Sequence, residues 1–167
     1  LNDAHAHPMS VGFALLDLDL SPERNASIAD ILAQVREAAA GRPAGTWIVG
    51  RGYDDARLAE GRHPTREDLD AVAPDHPVVL IRMCHHIGAA NSAALRLANV
   101  TNATADPEGG LFDRDVHGEP TGVLRETALT VVRAGMPEPT EQDMMDALVA
   151  GGNEFLRNGI TSAVEAG

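Results

Sequence analysis

The chain has 167 residues, of which 44% are hydrophobic, and it carries 25 acidic residues against 13 lysines and arginines. These proportions are typical of a folded globular protein and exclude a disordered one. With a formal net charge of −12 and no basic run, the chain lacks the clustered cationic side chains that nucleic acids and acidic membrane surfaces require. Composition therefore argues against nucleic acid and membranes as partners, and it leaves a small-molecule substrate and homo-oligomerisation open.

Cysteine content and hydropathy bear on the cellular compartment. Cys84 is the only cysteine, so the fold cannot depend on an internal disulfide or on an oxidising compartment. The longest apolar run, at residues 77–83, has the length of a strand and is much shorter than the ~18 residues of a transmembrane helix. The sequence shows no signal-peptide pattern and begins without Met inside a strand-like motif, so we expect a cytoplasmic protein whose native N-terminus is not included.

The first residues predict a strand that ends in a pair of metal ligands. His5 and His7 are two residues apart, and side chains at that spacing leave the same face of an extended strand. Neutral imidazole is the commonest nitrogen ligand for zinc and similar metals. Pro8 cannot donate to a strand ladder, so we expect the strand to stop there and open into a loop. Because an HxH pair also arises by chance, the spacing alone leaves coincidence open.

The middle of the chain predicts a mixture of helices and strands. Capping residues and helical spacing of apolar residues predict helices that begin at Ser27, near Pro64, at Asn91 and near residue 125. Apolar and β-branched runs predict strands at 46–53 and 77–86, the second of them buried, and a β-hairpin over 110–125. Three histidines beside Pro or Gly in apparent loops are interpreted as solvated: His63, His76 and His117.

The last third predicts a long helix followed by a strand. Thr140 with Asp143 marks the start of the helix, an apolar face runs along it, and Asn158 with Gly159 ends it. The strand at 160–164 completes half of a βαβ unit, so we expect it to lie parallel to the strand that carries His5 and His7. The roughly 130 residues between these strands far exceed a crossover of a dozen or more residues, which indicates an inserted subdomain.

Several longer motifs occur together over essentially the whole chain: NDAHAHP, GTWIVGRGYDD, HPTREDLDAVAPDHPVVLIR, HIGAANSAALRLANV, DPEGGLFDRDVHGEPTGVLRETA and NGITSAVEAG. In this order and spacing they resemble the amidohydrolase superfamily, and within it the family 3 branch of YtcJ-like and formamide-deformylase-like enzymes. The combination of GRGYD, GEPTGVLRE and NGITS is much more specific than the histidine pair alone.

The resemblance implies a mixed α/β fold that contains the first two strands and a helix of a metal-dependent (β/α)8 hydrolase barrel, or TIM barrel, with a large α+β insertion subdomain. The corresponding domains are residues 1–20 for the first barrel strand and the following loop, 21–135 for the insertion, and 136–167 for the helix and second barrel strand. The family's general base, bridging lysine and two further histidines would then lie beyond Gly167.

The resemblance also implies an activity and a set of site residues. It implies hydrolysis of an amide-type C–N bond, other than a peptide bond, by metal-activated water, with a divalent metal held by His5 and His7. Zinc is the metal expected, with one or two ions in the full-length protein. The substrate-binding candidates are His86 and Glu126, and Asp3 and Glu165 are weaker candidates near the metal.

Alternatives stay open for these residues and for the chain. His86 is equally well explained as a structural hydrogen-bonding residue, Glu126 as an exposed glutamate in the first turn of a helix, and Asn91 as a helix cap rather than a ligand contact. The isolated chain is expected to be inactive, because the remaining catalytic groups are absent from it. A non-catalytic binding or structural module is the second hypothesis, and a metal-dependent phosphoesterase is a weaker third, since it explains the histidines but not GEPTGVLRE.

Overall fold

The computed structural model describes residues 1–166. The strands are β1 (Asn2–Ala6), β2 (Leu18–Asp19), β3 (Ile48–Tyr53), β4 (Val78–Arg82), β5 (Ile87–Ala90), β6 (Gly110–Arg114), β7 (Pro120–Glu126) and β8 (Ser162–Glu165). The α-helices are α1 (Pro8–Leu16), α2 (Ile28–Ala40), α3 (Arg66–Asp70), α4 (Ser92–Leu97), α5 (Thr127–Arg133) and α6 (Glu141–Arg157). None of the helices in this part of the chain is long and apolar enough to span a membrane.

The chain divides into two compact units. Unit 1 combines Leu1–Asp17 with the residues from Glu138 onward, and unit 2 is the continuous segment Leu18–Pro137. Unit 1 therefore contains β1, α1, α6 and β8, whereas all the remaining elements belong to unit 2.

Unit 1 is a two-stranded parallel sheet with two helices. β1 pairs with β8 in parallel, with Asn2 opposite Ser162 and Ala6 opposite Glu165, so the predicted parallel pairing is confirmed. The backbone nitrogen of Leu1 also donates a hydrogen bond of 2.7 Å to the carbonyl of Gly159. These bonds hold the two ends of the described chain together.

The helices of unit 1 differ from the sequence prediction. The prediction of a loop after Pro8 is wrong, because Pro8 occupies the first turn of α1. The N–H groups of that turn have no partner within the helix, so the missing N–H of proline costs no helical hydrogen bond. The predicted start and end of α6 are confirmed, but its large apolar side chains, Leu148 among them, are about half exposed. α6 instead packs on α1 through small residues: a Cβ atom on Gly12 would lie only 1.7 Å from the carbonyl oxygen of Ala147.

Unit 2 is built around a six-stranded mixed sheet with the order β2-β3-β4-β5-β7-β6. β2, β3 and β4 are parallel neighbours, whereas β5 is antiparallel to both β4 and β7, and β6 is antiparallel to β7. Val78 and Leu80 of β4 belong to one hydrophobic cluster, and Val79 and Ile81 belong to another. Since successive side chains of a strand point to opposite faces, the sheet has a core on each face.

Helices cover both faces of this sheet. α2 and α3 supply residues to the first cluster, and α4 and α5 supply residues to the second. The predicted capping box of Ser27 with Asp30, the helix from Asn91 and the hairpin of β6 with β7 are all confirmed. The predicted strand at 77–86 is too long, because β4 ends at Arg82 and the chain then turns before β5 begins at Ile87.

Two of the three histidines expected to be solvated are buried or nearly so. His76 is only 6% exposed, and its Nδ1 atom lies 3.0 Å from the carbonyl oxygen of Thr46. The His63 side chain is 14% exposed and contacts Tyr53. Only His117 of the three is exposed, as expected. Partners distant in sequence bury the other two, which a local reading of Pro and Gly neighbours does not detect.

Asn91 provides the first stability test. Its Oδ1 atom accepts hydrogen bonds of 3.0 Å from the backbone N–H groups of Val78 and Ala94, and its Nδ2 atom donates to the carbonyls of Ala73 and His76. Asn91 is fully buried. The Asn91→Ala variant leaves these backbone groups unpaired, so we expect unit 2 to lose about 3 to 5 kcal/mol of unfolding free energy.

Urea unfolding followed by the fluorescence of Trp47, the only tryptophan, measures this loss. Asn102→Ala is the matched control, because Asn102 is exposed and makes one side-chain bond to Glu119, and we expect a change within about 0.5 kcal/mol. Equal effects of the two substitutions would contradict the role assigned to Asn91.

Candidate functional site

His5 and His7 converge at the carboxyl end of β1, although both are exposed. Their ring centroids are 5.5 Å apart and their ring planes are perpendicular. His5 is the penultimate residue of β1, and His7 directly precedes α1 as its N-cap residue. The rings meet because His5 lies near the end of the strand and His7 follows it two positions on, before Pro8 starts a helix in a new direction.

Glu165 joins this pair from the end of β8. Its Oε1 atom lies 3.5 Å from Nδ1 of His7, and its Oε2 atom accepts a hydrogen bond of 2.9 Å from the N–H of Met9 in the first turn of α1. Glu165 is brought here by the register of the parallel strands, which sets it opposite Ala6. Asp3, by contrast, accepts a bond of 3.1 Å from the N–H of His5, so its carboxylate is engaged with its own strand.

The donor set of this site suits a metal in part. Imidazole nitrogen is a preferred ligand of zinc, and a carboxylate beside Nδ1 of one histidine orients that ring and leaves its Nε2 atom for coordination. Within residues 1–166, however, no three His, Cys, Asp or Glu side chains are grouped closely enough to hold a metal ion. His5 and His7 therefore supply two suitable nitrogen donors, and the described residues group no complete set of metal ligands around them.

A second group of polar side chains lies in unit 2, along one edge of the six-stranded sheet. We call this the carboxyl edge, because β2, β3, β4 and β7 end there while β5 and β6 begin there. The residues at or next to these strand ends include Tyr53, Arg82, His86, Arg125 and Glu126. In open α/β sheets, ligands bind outside the carboxyl ends of the strands.

An ion-pair network occupies the part of the carboxyl edge next to β3 and β4. Arg82 donates to Asp55 at 2.5 Å and to Asp54 at 2.7 Å. Burial raises the pKa of Asp55, but the hydrogen bond from Arg82 and the charge of His63 outweigh it, so the net pKa lies below its ordinary value. Burial also raises the pKa of the Tyr53 hydroxyl, which lies 3.2 Å from Nδ1 of His63. These groups satisfy one another and hold the strand ends in place.

His86 and Glu126 form a separate pair at the same edge. The Nδ1 atom of His86 lies 2.9 Å from Oε2 of Glu126, and the N–H of Glu126 donates a bond of 2.7 Å to the carbonyl of His86. The structure thus brings together two residues that the sequence singled out separately. The pair borders a cavity of about 240 Å³ whose polar lining residues are His85, His86, Glu126, Thr127, Thr130 and Arg133.

The backbone of Glu126 is strained. Its φ of 52° and ψ of −121° match the first central position of a type II′ turn, which glycine dominates. A residue with a Cβ atom in such a sparsely populated region costs on the order of 1–3 kcal/mol. The ion pair with His86 is more than half exposed on both sides, and exposed pairs contribute about 0–1 kcal/mol. The pair alone therefore does not offset the strain.

Family and structural comparisons place the chain among known proteins. The model of the amidohydrolase family matches residues 1–167. The putative amidohydrolase YtcJ of Bacillus subtilis is 34% identical over 95% of this chain and 30% of its own length. The N-substituted formamide deformylase of Arthrobacter pascens is also 34% identical, over 98% of this chain and 31% of its own length. The chain thus spans about three tenths of these relatives.

Two solved structures are similar to this chain over almost its whole length. An uncharacterized metal-dependent hydrolase from Pyrococcus horikoshii matches with a TM-score of 0.69 at 28% identity, covering 98% of this chain and 31% of that one. The corresponding protein of Pyrococcus furiosus matches with a TM-score of 0.68 at 29% identity, covering 99% of this chain and 32% of that one. The family match over the whole chain confirms the resemblance seen in the motifs: the chain belongs to the amidohydrolase family.

Proposed function

We propose that this chain forms part of a metal-dependent hydrolase that cleaves an amide-type C–N bond, and that His5 and His7 are two of its metal ligands. The observation that carries the proposal is the convergence of two imidazole rings at the carboxyl end of a parallel strand, with Glu165 against one of them. When bound, a divalent metal such as zinc polarises a carbonyl and activates water for attack.

The chain's own residues prepare that site. Glu165 accepts from the Met9 N–H through one carboxylate oxygen, which fixes the carboxylate at the start of α1, and its other oxygen faces Nδ1 of His7. A histidine held in this way presents Nε2 as a ligand, and the carboxylate increases the electron density on that nitrogen. Because β1 and the start of α1 position the backbones of His5 and His7, the two rings need little rearrangement to bind a metal.

The names of two relatives support amide chemistry, and the pairing of β1 with β8 supports the barrel fold. Two relatives are named as an amidohydrolase and as an N-substituted formamide deformylase, and amide bonds are the substrates that those names imply. We infer that β1 and β8 are the first two strands of a (β/α)8 barrel and that unit 2 is an insertion between them. Parallel neighbouring strands are what such a barrel needs, and its active sites lie at the carboxyl ends of the strands.

Zinc titration of this chain tests the metal site. Two imidazoles complete only half of a tetrahedral shell, so we expect weak binding by the wild type and none by the His5→Ala, His7→Ala double variant in calorimetry. His117→Ala is the control, since His117 is an exposed histidine of the β6–β7 hairpin. Indistinguishable curves for wild type and double variant would contradict the assignment, and so would nanomolar binding, which requires further ligands in this chain.

Activity of a full-length protein tests the chemistry. We expect metal-dependent hydrolysis of small N-formyl or N-acyl amines that is lost on chelation and in His5→Ala or His7→Ala. Glu165→Gln keeps the shape but removes the charge beside His7, and we expect it to lower activity about 10- to 100-fold. Assays on panels of amides, carboxylic esters and phosphoesters decide the reaction class. Turnover of phosphoesters alone would overturn the proposed C–N bond chemistry.

A further inference from the structure

In the pair of His86 and Glu126, the histidine is the hydrogen-bond donor and the glutamate is the acceptor. An ionised carboxylate can only accept hydrogen bonds, so the 2.9 Å contact with Oε2 of Glu126 assigns the proton of a neutral His86 ring to Nδ1. The second ring nitrogen, Nε2, is then left as an acceptor. The His86 side chain is 67% exposed, so this acceptor can be reached by a ligand.

One residue of this pair, Glu126, has a strained backbone. Within residues 1–166, the non-glycine residues with φ in the left-handed region are His85, Asn99 and Glu126. Asparagine and histidine tolerate that region, whereas glutamate does so less readily, so the strained residue of the three is Glu126. His85 and Glu126 both line the cavity beside the pair, although they are 41 positions apart in the sequence. Strained residues such as Glu126 occur preferentially at ligand clamps and active sites, where the side chain is needed in a place that its backbone disfavours.

The cavity itself suits a small polar molecule. Its volume of about 240 Å³ is enough for a molecule the size of a simple amide. Besides the ion pair, its polar lining residues are His85, Thr127, Thr130 and Arg133. The hydroxyl of Thr127 donates a hydrogen bond of 2.8 Å to the carbonyl of Glu108. Its oxygen can therefore only accept a further hydrogen bond.

We propose that unit 2 carries a binding site for the N–H group of a small amide, with Nε2 of His86 as the acceptor and Glu126 as the residue that fixes the ring. The choice of an amide rests on the proposed function, whereas the acceptor geometry does not. Glu126 is a positioning residue here, and its unfavourable backbone is retained because a glycine at position 126 has no carboxylate to hold His86.

Two amides that differ in one group test the site. N-methylacetamide has an N–H, and N,N-dimethylacetamide has a methyl group in its place. We follow the His86 ring and the amides of Thr127 and Thr130 by NMR at pH 8 during titration of the wild-type chain. We expect saturable shifts with N-methylacetamide and about tenfold weaker binding of N,N-dimethylacetamide, since one hydrogen bond distinguishes them. We also expect ring nitrogen shifts that report protonation at Nδ1.

Variants separate binding from stability. Glu126→Gly relieves the strain and removes the carboxylate, so we expect the thermal midpoint of unit 2 to stay constant or to rise by about 2 to 4 °C while the preference for N-methylacetamide disappears. Asn99→Gly is the matched control at another left-handed position and is expected to change neither binding nor the Nδ1 tautomer.

Three results would overturn the proposal: equal or absent binding of the two amides, protonation of His86 at Nε2, or a fall in the midpoint of Glu126→Gly, which would mean that the glutamate is retained for stability. His5→Ala with His7→Ala is expected to leave these NMR titrations unchanged. Failure of the metal site and failure of this site are therefore distinguishable.

Discussion

The parallel pairing of β1 with β8 is the interaction on which unit 1 depends. It joins residues at opposite ends of the sequence. Asn2 lies opposite Ser162, and the backbone nitrogen of Leu1 bonds to the carbonyl of Gly159. The register of this pairing decides which side chains meet at the carboxyl ends of the strands. A shift by one residue would turn Glu165 to the other face of β8 and away from His7.

The helices of unit 1 support this register through small residues. Gly12 on α1 lies against Ala147 of α6, and a Cβ atom on Gly151 of α6 would lie only 2.0 Å from the carbonyl oxygen of Pro8. Such close backbone approach fixes where α1 begins, and the N–H of Met9 in its first turn is what holds the carboxylate of Glu165. Packing between the helices is thereby linked to the orientation of His7.

Much of the fold was predictable because its signals are local. The capping boxes at Ser27, Thr65 and Thr140 each lie within four residues, and so do the turn residues of the β6–β7 hairpin. The sequence does not predict the helix after Pro8, because this helix has no capping side chain and a proline after an extended segment is typical of a strand end. The turn after Arg82 was missed because the apolar run of β4 continues into Met83 without a glycine or proline.

The candidate sites were predictable only in part, for the same reason. His5 and His7 are two residues apart, one in β1 and one directly after it, so their convergence depends on neighbouring residues alone and the sequence suffices. Glu165 and Glu126 meet their histidines across 158 and 40 positions, which only strand register determines. The burial of His63 against Tyr53 and of His76 against Thr46 is likewise a result of tertiary packing.

The two carboxylate–histidine pairs share a geometry and differ in their surroundings, and that difference leads to different chemistry. In each pair a glutamate at the end of a strand faces Nδ1, so Nε2 is the available nitrogen. His7 has a second imidazole, that of His5, with its centroid 5.5 Å away, and two such nitrogens favour a metal. Within residues 1–166, no ring contact joins a second imidazole to that of His86, but a small polar cavity lies beside it, and acceptors such as Nε2 and the Thr127 hydroxyl suit a hydrogen-bond donor. The strained φ of Glu126 shows that the second pair is held against a local backbone preference, whereas Glu165 lies in an ordinary strand.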